Sequence, residues 1–231
     1  MSRLTLRGGA LRIAPSLLFV LVAAAGRTGC RGTLPSASTP SPTRSPAYPA
    51  AKPRATALEN LPLIRSLEQA SGRSTILIGL EGSGILQDGR VSEGSGWDYY
   101  FSETIGGIPR IYQWTVYETG AIRLLGPLAP IAHWDFTEIG PVIRLDSDAA
   151  IAAGRRYGAQ PFVDRYPGTL VRGALRFQGL VPTWELHFGE LPPEGPLCQI
   201  VVFLDAQNGD SLAQDLSCLQ QLNREGELHV H

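Results

Sequence analysis

The stretch Trp97–Glu103, with the sequence WDYYFSE, places aromatic side chains at its first, third and fifth positions. Successive side chains of a β-strand point to opposite faces, so this alternation predicts a strand with one aromatic, core-facing side. The segment Trp184–Glu190, WELHFGE, repeats Trp, Phe and Glu at the same first, fifth and seventh positions, 87 residues later. We therefore take these two strands as the centres of two similar halves.

A second pair of similar segments follows the tryptophan strands at nearly the same offset. Ile111–Ile122 and Ile200–Leu212 are each a β-rich run, a turn that ends in glycine at Gly120 or Gly209, and a short strand. Glycine suits such a turn because it adopts positive φ without steric cost. Two matches in the same order predict an internal repeat that arose by duplication.

A helix is predicted before the strands of each half. Apolar residues recur near every third position over residues 58–71, as on one helix face. In the second half, Asp146 or Ser147 suits the N-cap of an alanine-rich helix that Gly158 ends. A helix followed by a strand meander, twice, predicts the α+β class, with two tandem units that each pack a helix on a small antiparallel sheet.

Three segments of the second half carry a family resemblance: the helix after Asp146, the strand Trp184–Phe188 and the run Val201–Leu212. Together they resemble the PepSY domain family, whose closing strand and turn the last run matches best. The resemblance implies extracytoplasmic lipoproteins and, for some members, the restraint of secreted peptidases. It implies no catalytic residues, and Asp205 is expected to be a turn carboxylate that caps its own hairpin.

The first 57 residues carry eight basic side chains and no acidic one. They contain the apolar run Leu17–Ala25, which has the length of a signal-peptide core and is too short to span a bilayer. We therefore predict a signal peptide of the lipoprotein type over residues 1–29. Residues 30–57 are rich in Pro, Ser and Thr and are predicted to form a disordered tether, because they cannot bury enough apolar surface to fold.

Two processing sites are compatible with this segment. Cys30 follows Gly29, as at the end of a lipobox, and a lipid on Cys30 would anchor the chain on the extracytoplasmic face of the cell membrane. Cleavage after Ala25 would instead release a secreted protein. Lipidation of Cys30 would leave an even pair, Cys198 and Cys218, which could form a disulfide in an oxidising compartment or remain two buried thiols.

The remaining 174 residues carry 12 basic and 21 acidic side chains, a net charge of −9. This charge argues against nucleic acid as a partner, because phosphate would be repelled. The predicted organisation of this part is a first α+β unit, a connector, a second PepSY-like unit and a tail, over residues 58–128, 129–142, 143–223 and 224–231.

Motifs of known chemistry are missing from the sequence. Lys52 is the only lysine, which excludes a Walker-type phosphate loop, and no G-x-S-x-G, H-E-x-x-H or G-x-G-x-x-G segment occurs. We therefore expect no catalytic residue, no cofactor and no metal site. The predicted function is a non-enzymatic, membrane-anchored extracytoplasmic binding or regulatory module, with a secreted peptidase or a cell-envelope component as partner. Two alternatives stay open: a hydrolase of envelope polymers that uses Glu103, Glu185 or Glu190, and a structural subunit of an envelope complex.

Overall fold

The computed structural model describes residues 48–130, 135–190 and 199–228 of the chain. Side chains are described throughout these ranges except at Glu190 and beyond Asn223. The predicted signal peptide, the predicted lipid-attachment residue Cys30 and most of the predicted tether lie outside this part of the chain.

The first half is one helix followed by a four-stranded meander. Its elements are α1 Leu61–Ala70, β1 Ile76–Ile85, β2 Val91–Ile105, β3 Ile108–Tyr117 and β4 Ile122–Leu128. Trp97, Tyr99 and Phe101 alternate along β2 and are all buried, which confirms the core-facing row that their spacing predicts. The helix lies within the predicted range 58–71.

The second half begins with two short helices joined by a kinked turn and continues with four strands. Its elements are α2 Ser147–Gly154, α3 Gln160–Arg165, β5 Leu170–Gln178, β6 Val181–Glu190, β7 Ile200–Asp205, β8 Ser211–Asp215 and a final helix, α4 Ser217–Leu228. Asp146 is the N-cap of α2, and its carboxylate accepts the Ser147 N–H at 2.6 Å. The predicted break falls at Gly158, whose φ of +124° is outside the helical range.

The eight strands form one antiparallel sheet in the order β4-β3-β2-β1-β5-β6-β7-β8. The prediction of two tandem units, each a helix on its own small sheet, is therefore wrong. Strands β1 and β5 pair at the centre, where Leu80 lies opposite Leu175. Two separate meanders would leave β1 and β5 as edges with unpaired backbone N–H and C=O groups, and their pairing satisfies these groups. It also joins the apolar sides of both halves into one large core.

The two repeated tryptophans meet inside this core. The rings of Trp97 and Trp184 are 1% and 0% exposed and contact each other edge to face, with centroids 6.2 Å apart. Each indole N–H donates to a backbone carbonyl in the segment that precedes the helix of its own half: Trp97 to Ala55 at 3.2 Å and Trp184 to Leu145 at 2.9 Å. The halves thus hold their tryptophans in the same way, and the duplication itself stays a prediction.

The folded domain begins before the predicted boundary at residue 57. Four small side chains of this segment are buried, those of Ala51, Ala55, Thr56 and Ala57. The Ala51 N–H donates to the Gly120 carbonyl at 3.1 Å, and the Tyr99 hydroxyl donates to the Ala57 carbonyl at 2.8 Å. This segment, whose composition predicts disorder, is therefore held against the sheet by hydrogen bonds to its backbone groups. Its small side chains let the backbone lie close to the sheet. Residues 48–57 belong to the domain.

Deleting residues 1–57 is expected to lower the free energy of unfolding relative to a deletion of residues 1–47. The longer deletion removes the carbonyl acceptors of the Trp97 indole and the Tyr99 hydroxyl, at about 1–3 kcal/mol for each unsatisfied group. Urea denaturation of the two truncated proteins measures the difference. Equal midpoints would show that the segment does not stabilise the domain.

Candidate binding surface

One polar hollow lies on the face of the sheet opposite the helices. Glu81 of β1 lies directly across from Asp98 of β2, and Asp98 lies across from Thr115 of β3. The Thr115 hydroxyl donates to the Asp98 carboxylate at 2.5 Å. With Ser83 and Arg172 these carboxylates line a hollow of about 230 Å³. The hollow therefore presents two acidic groups and one guanidinium to solvent.

A second cluster of polar side chains, those of Arg176, Glu185 and His187, lies on the same face of the sheet, on β5 and β6. The Glu185 carboxylate accepts a hydrogen bond from Arg176 at 2.5 Å and is hydrogen-bonded to the His187 ring at 2.7 Å. Burial raises the pKa of Glu185, but the hydrogen bonds from His187 and Arg176 outweigh it and hold that pKa below its ordinary value. A carboxylate that stays ionised cannot serve as a general acid near neutral pH. Glu185 instead joins β6 to β5 through its ion pair with Arg176.

The carboxylates of the hydrolase alternative are not brought together. Glu103 lies near the end of β2, where it accepts the Ser74 N–H at 3.3 Å, and Glu185 lies on β6. Two strands separate β2 from β6, so the strands are roughly 14 Å apart, against about 5–10 Å between paired glycosidase carboxylates. By strand periodicity the two side chains also point to opposite faces of the sheet. The Glu190 side chain lies outside the described residues.

A buried carboxylate that the sequence analysis missed lies between α1 and the sheet. Glu68 is 2% exposed and accepts two hydrogen bonds from Arg73, at 2.9 and 2.6 Å, one from the Trp114 indole at 2.6 Å and one from the Thr75 hydroxyl at 3.0 Å. Burial raises the pKa of Glu68, yet the hydrogen bonds from Arg73 and Trp114 outweigh it and lower that pKa. Four donors satisfy this carboxylate, so it joins α1 to β3 rather than performing chemistry.

The other residues singled out in the sequence have structural roles or lie outside the described ranges. Asp205 accepts the Gln207 N–H at 2.7 Å within its own turn, which confirms the predicted cap. Cys218, at the start of α4, is 2% exposed and disulfide-bonded. Cys198 and Cys30 both lie outside the described residues, so the predicted Cys198–Cys218 bridge and the lipid on Cys30 stay predictions.

Large apolar side chains are exposed at one end of the sheet, which we call the apolar end. Because neighbouring strands are antiparallel, this end holds the start of β1, the β2–β3 turn, the end of β4 and the β5–β6 turn. The exposed side chains there are those of Ile76, Ile105, Ile108, Leu128 and Leu180, and that of Leu212 beside the β7–β8 turn, which lies at the same end. The most exposed are Leu180, at 94%, and Ile108, at 65%. Leu86, in the β1–β2 turn, lies at the opposite end.

The polar hollow and the apolar end are the candidate binding surfaces of the described chain. Within the described ranges no three His, Cys, Asp or Glu side chains lie close enough together to hold a metal ion. None of the helices in those ranges combines the length and apolar character that a membrane crossing requires. Comparison of the chain with protein-family models, with characterised proteins and with solved structures finds no match.

Proposed function

We propose that the chain is a non-enzymatic binding module, held by a lipid on Cys30 at the extracytoplasmic face of a membrane, that restrains a secreted peptidase. The observation that carries the proposal is the apolar end. Single exposed hydrophobic side chains are common on soluble proteins, whereas several at one end of a domain mark an interaction site. The PepSY resemblance of the second half supports a peptidase as the partner.

The spacing between the proposed anchor and the domain supports this arrangement. Seventeen residues, 31–47, separate Cys30 from the first described residue, Tyr48. A chain of this length spans at most about 60 Å. An anchored domain would therefore reach partners well beyond the bilayer surface while it stays attached.

Two carboxylates of the described chain, the buried Glu68 and the partly buried Glu185, are unsuited to act as general acids. Glu68 and Glu185 both have lowered pKa values, because basic and hydrogen-bonding neighbours outweigh their burial. A general acid needs the opposite shift, towards the pH at which the enzyme works. Glu68 and Glu185 join secondary-structure elements to one another, so we assign partner recognition to the exposed surfaces.

Replacing Cys30 by serine is expected to abolish lipid attachment and to move the chain from the membrane fraction to the medium, since serine lacks the thiol that carries the lipid. Metabolic labelling with a palmitate analogue, followed by fractionation, measures both effects. A Thr28→Ser variant is the control and should remain labelled and membrane-bound. A labelled Cys30→Ser protein would contradict the anchor.

The purified chain without its signal peptide is expected to slow casein hydrolysis by peptidases that the encoding organism secretes. Inhibition should saturate near one chain per peptidase, because one domain would occupy one binding site. Heat-denatured protein is the control, since the apolar end exists only in the folded sheet. Absence of both inhibition and measurable binding would remove the peptidase proposal. A stable multi-protein envelope complex without inhibition would favour the structural-subunit alternative.

A hydrolase of envelope polymers is the second candidate, and the pair Glu81–Asp98 favours it. Residues directly opposite on adjacent antiparallel strands have Cβ atoms about 4.5–5.5 Å apart, so the two carboxyl groups are within reach of the separation of about 5–5.5 Å that retaining glycosidases use. Asp98→Asn should then abolish polymer hydrolysis, while the matched change Asp88→Asn, at an exposed position in the β1–β2 turn, should leave it intact. Release of soluble fragments from purified cell-wall polymer is the measurement. No release by the unmodified chain would dismiss this candidate.

A further inference from the structure

The polar hollow is open because small residues lie beside its two carboxylates. Glu81 and Asp98 are directly opposite each other on β1 and β2, on the face of the sheet away from the helices. By strand alternation and register, three neighbouring positions of that face hold small residues, which are Ser83, Gly96 and Ala174. Their size leaves the space beside the carboxylates unfilled, which gives the hollow its volume of about 230 Å³.

The two facing carboxylates form a like-charge pair. Residues directly opposite on antiparallel strands have Cβ atoms about 4.5–5.5 Å apart, and like charges in this arrangement destabilise a sheet. The Thr115 hydroxyl donates to Asp98, but within the described part of the chain no basic side chain forms an ion pair within 4 Å with either carboxylate. A cation bound between Glu81 and Asp98 would therefore remove a repulsion that the protein itself leaves uncompensated.

Arg172 supplies the opposite charge on another wall of the hollow. It lies on β5, two residues from Ala174 and therefore on the same face, and its side chain lines the hollow together with Glu81 and Asp98. Arg172 is exposed, and it too forms no ion pair within 4 Å among the described residues. Because β1 and β5 are neighbours, about 5 Å apart, both signs of charge face one small space without neutralising each other.

We propose that the hollow binds an α-amino-acid head group, with its ammonium between Glu81 and Asp98 and its carboxylate on Arg172. An ammonium has three N–H donors, enough for both carboxylates and the Ser83 hydroxyl, and a guanidinium holds a carboxylate through paired hydrogen bonds. The two charges of such a head group are separated by a single carbon atom, which suits a site built across adjacent strands. This site lies on a different surface from the apolar end and goes beyond the proposed function.

Other classes of ligand match the charges of the hollow less well. A divalent cation such as Ca²⁺ or Mg²⁺ takes about six or more oxygen ligands, and in the described ranges no third acidic, His or Cys side chain joins Glu81 and Asp98. The guanidinium of Arg172 would also repel a metal ion. An anion would meet two carboxylates, and a neutral ligand would leave their repulsion in place. A zwitterion matches both walls.

NMR titration of the full chain, purified in detergent, tests the proposal with three probes of similar size. L-alanine carries both charges, ethylamine carries only the ammonium, and propionate carries only the carboxylate. We expect alanine to bind with a Kd of about 1 mM or below. Ethylamine and propionate should each bind at least about 10-fold more weakly, because each lacks one set of charge-assisted hydrogen bonds.

The same head group occurs in free amino acids and in the diamino acids of cell-wall peptides. Purified cell-wall peptide fragments are therefore titrated beside alanine. Tighter binding of the fragments than of alanine would identify the polymer as the source of the ligand, and tighter binding of alanine would identify the free amino acid. Either result requires the hollow to be occupied.

Two variants separate ligand binding from folding. Arg172→Gln should weaken alanine binding at least about 10-fold and leave ethylamine binding unchanged, while the matched Arg90→Gln, in the exposed β1–β2 turn, should alter neither. Glu81→Gln should weaken the binding of both alanine and ethylamine and yet raise the melting temperature, because it removes the cross-strand repulsion. A variant that binds less while it becomes more stable has not lost binding by misfolding.

Three results would overturn the head-group site: no binding of alanine at about 10 mM, equal binding of alanine and ethylamine by the parent chain, or unchanged alanine binding by Arg172→Gln. None of these results bears on the peptidase proposal, which rests on the apolar end. Absence of peptidase inhibition would in turn leave the head-group site standing.

Discussion

Replacing Glu68 by alanine is expected to lower the free energy of unfolding by about 3–5 kcal/mol, the range seen when one partner of a buried ion pair is removed. The change leaves the Arg73 guanidinium, only 21% exposed in its side chain, without its carboxylate. It also leaves the Trp114 indole N–H and the Thr75 hydroxyl without the acceptor they share. Each unsatisfied buried donor adds a desolvation penalty that water in the unfolded chain would remove.

Chemical denaturation of two further variants tests whether the burial of Glu68 is the reason for the large loss of unfolding free energy. Glu68→Gln keeps the shape and one acceptor oxygen but loses the charge, so we expect an intermediate loss of about 1–3 kcal/mol. Glu59→Ala removes the ion pair with Lys52, whose side chain is 55% exposed, and one hydrogen bond from the Thr56 N–H, and should cost about 1 kcal/mol. Similar losses for Glu68→Ala and Glu59→Ala would contradict the role assigned to the buried site.

The same carboxylate predicts how stability depends on pH. The pKa of Glu68 is lowered in the folded protein from an ordinary value of 4.5, so its stabilising contribution is fully present above about pH 5. That contribution is lost as the pH falls from 4.5 through the folded-state pKa, because the unfolded chain then binds the proton more readily. Denaturation between pH 7 and pH 3 should show a shallower decline for Glu68→Gln than for the parent. Parallel curves would assign the acid sensitivity to other groups.

Truncating Trp184 to alanine is expected to cost about 3–5 kcal/mol of unfolding free energy, as for other buried aromatic residues. The substitution opens a cavity beside Trp97 and leaves the Leu145 carbonyl without the indole donor. Trp97→Ala should cost a similar amount, because that ring is equally buried and its N–H bonds the Ala55 carbonyl. We expect equal losses of unfolding free energy, because the two rings are placed in the same way.

A double-mutant cycle separates the contact between the rings from their individual burial. Edge-to-face aromatic pairs contribute about 0.5–1.5 kcal/mol beyond area burial, so the double variant should lose less than the sum of the single losses by about that amount. Leu180→Ala is the control, since a side chain that is 94% exposed should change stability by less than about 0.5 kcal/mol. Strict additivity of the two tryptophan substitutions would show that the ring contact is energetically neutral.

Local features of the fold were predictable because they depend on local sterics. The period-two row from Trp97 to Phe101 decides which face of β2 is buried, whatever the neighbouring strands are. Asp146 caps its helix through the adjacent backbone N–H, and Gly158 breaks it because only glycine adopts that φ at no cost. These are interactions between residues close in sequence, which a pattern of residue types records directly.

The candidate binding surface was much harder to predict. Ile105 and Ile108 are ordinary strand residues in the sequence, and their exposure results from β2 continuing past the start of β1 at Ile76. Glu68 on an amphipathic helix resembles a solvent-facing acid, and its burial depends on Trp114, 46 residues away. Strand registers and long-range hydrogen bonds of this kind have no counterpart in the spacing of residues along the chain.

By itself, the sequence determined the two tryptophan strands with their buried faces and the first helix, because hydrophobic periodicity specifies which side of each element turns from water. The tertiary structure alone decided that β1 and β5 join two meanders into one sheet, that the segment from Ala51 to Ala57 is part of the domain, and that the β2–β3 hairpin extends past the ends of β1 and β4. Hydrophobic periodicity predicts which face of a strand is buried, but it does not predict which strand lies beside it. The neighbour is chosen by the need to satisfy backbone hydrogen bonds at the edges, a condition that only the assembled chain can meet.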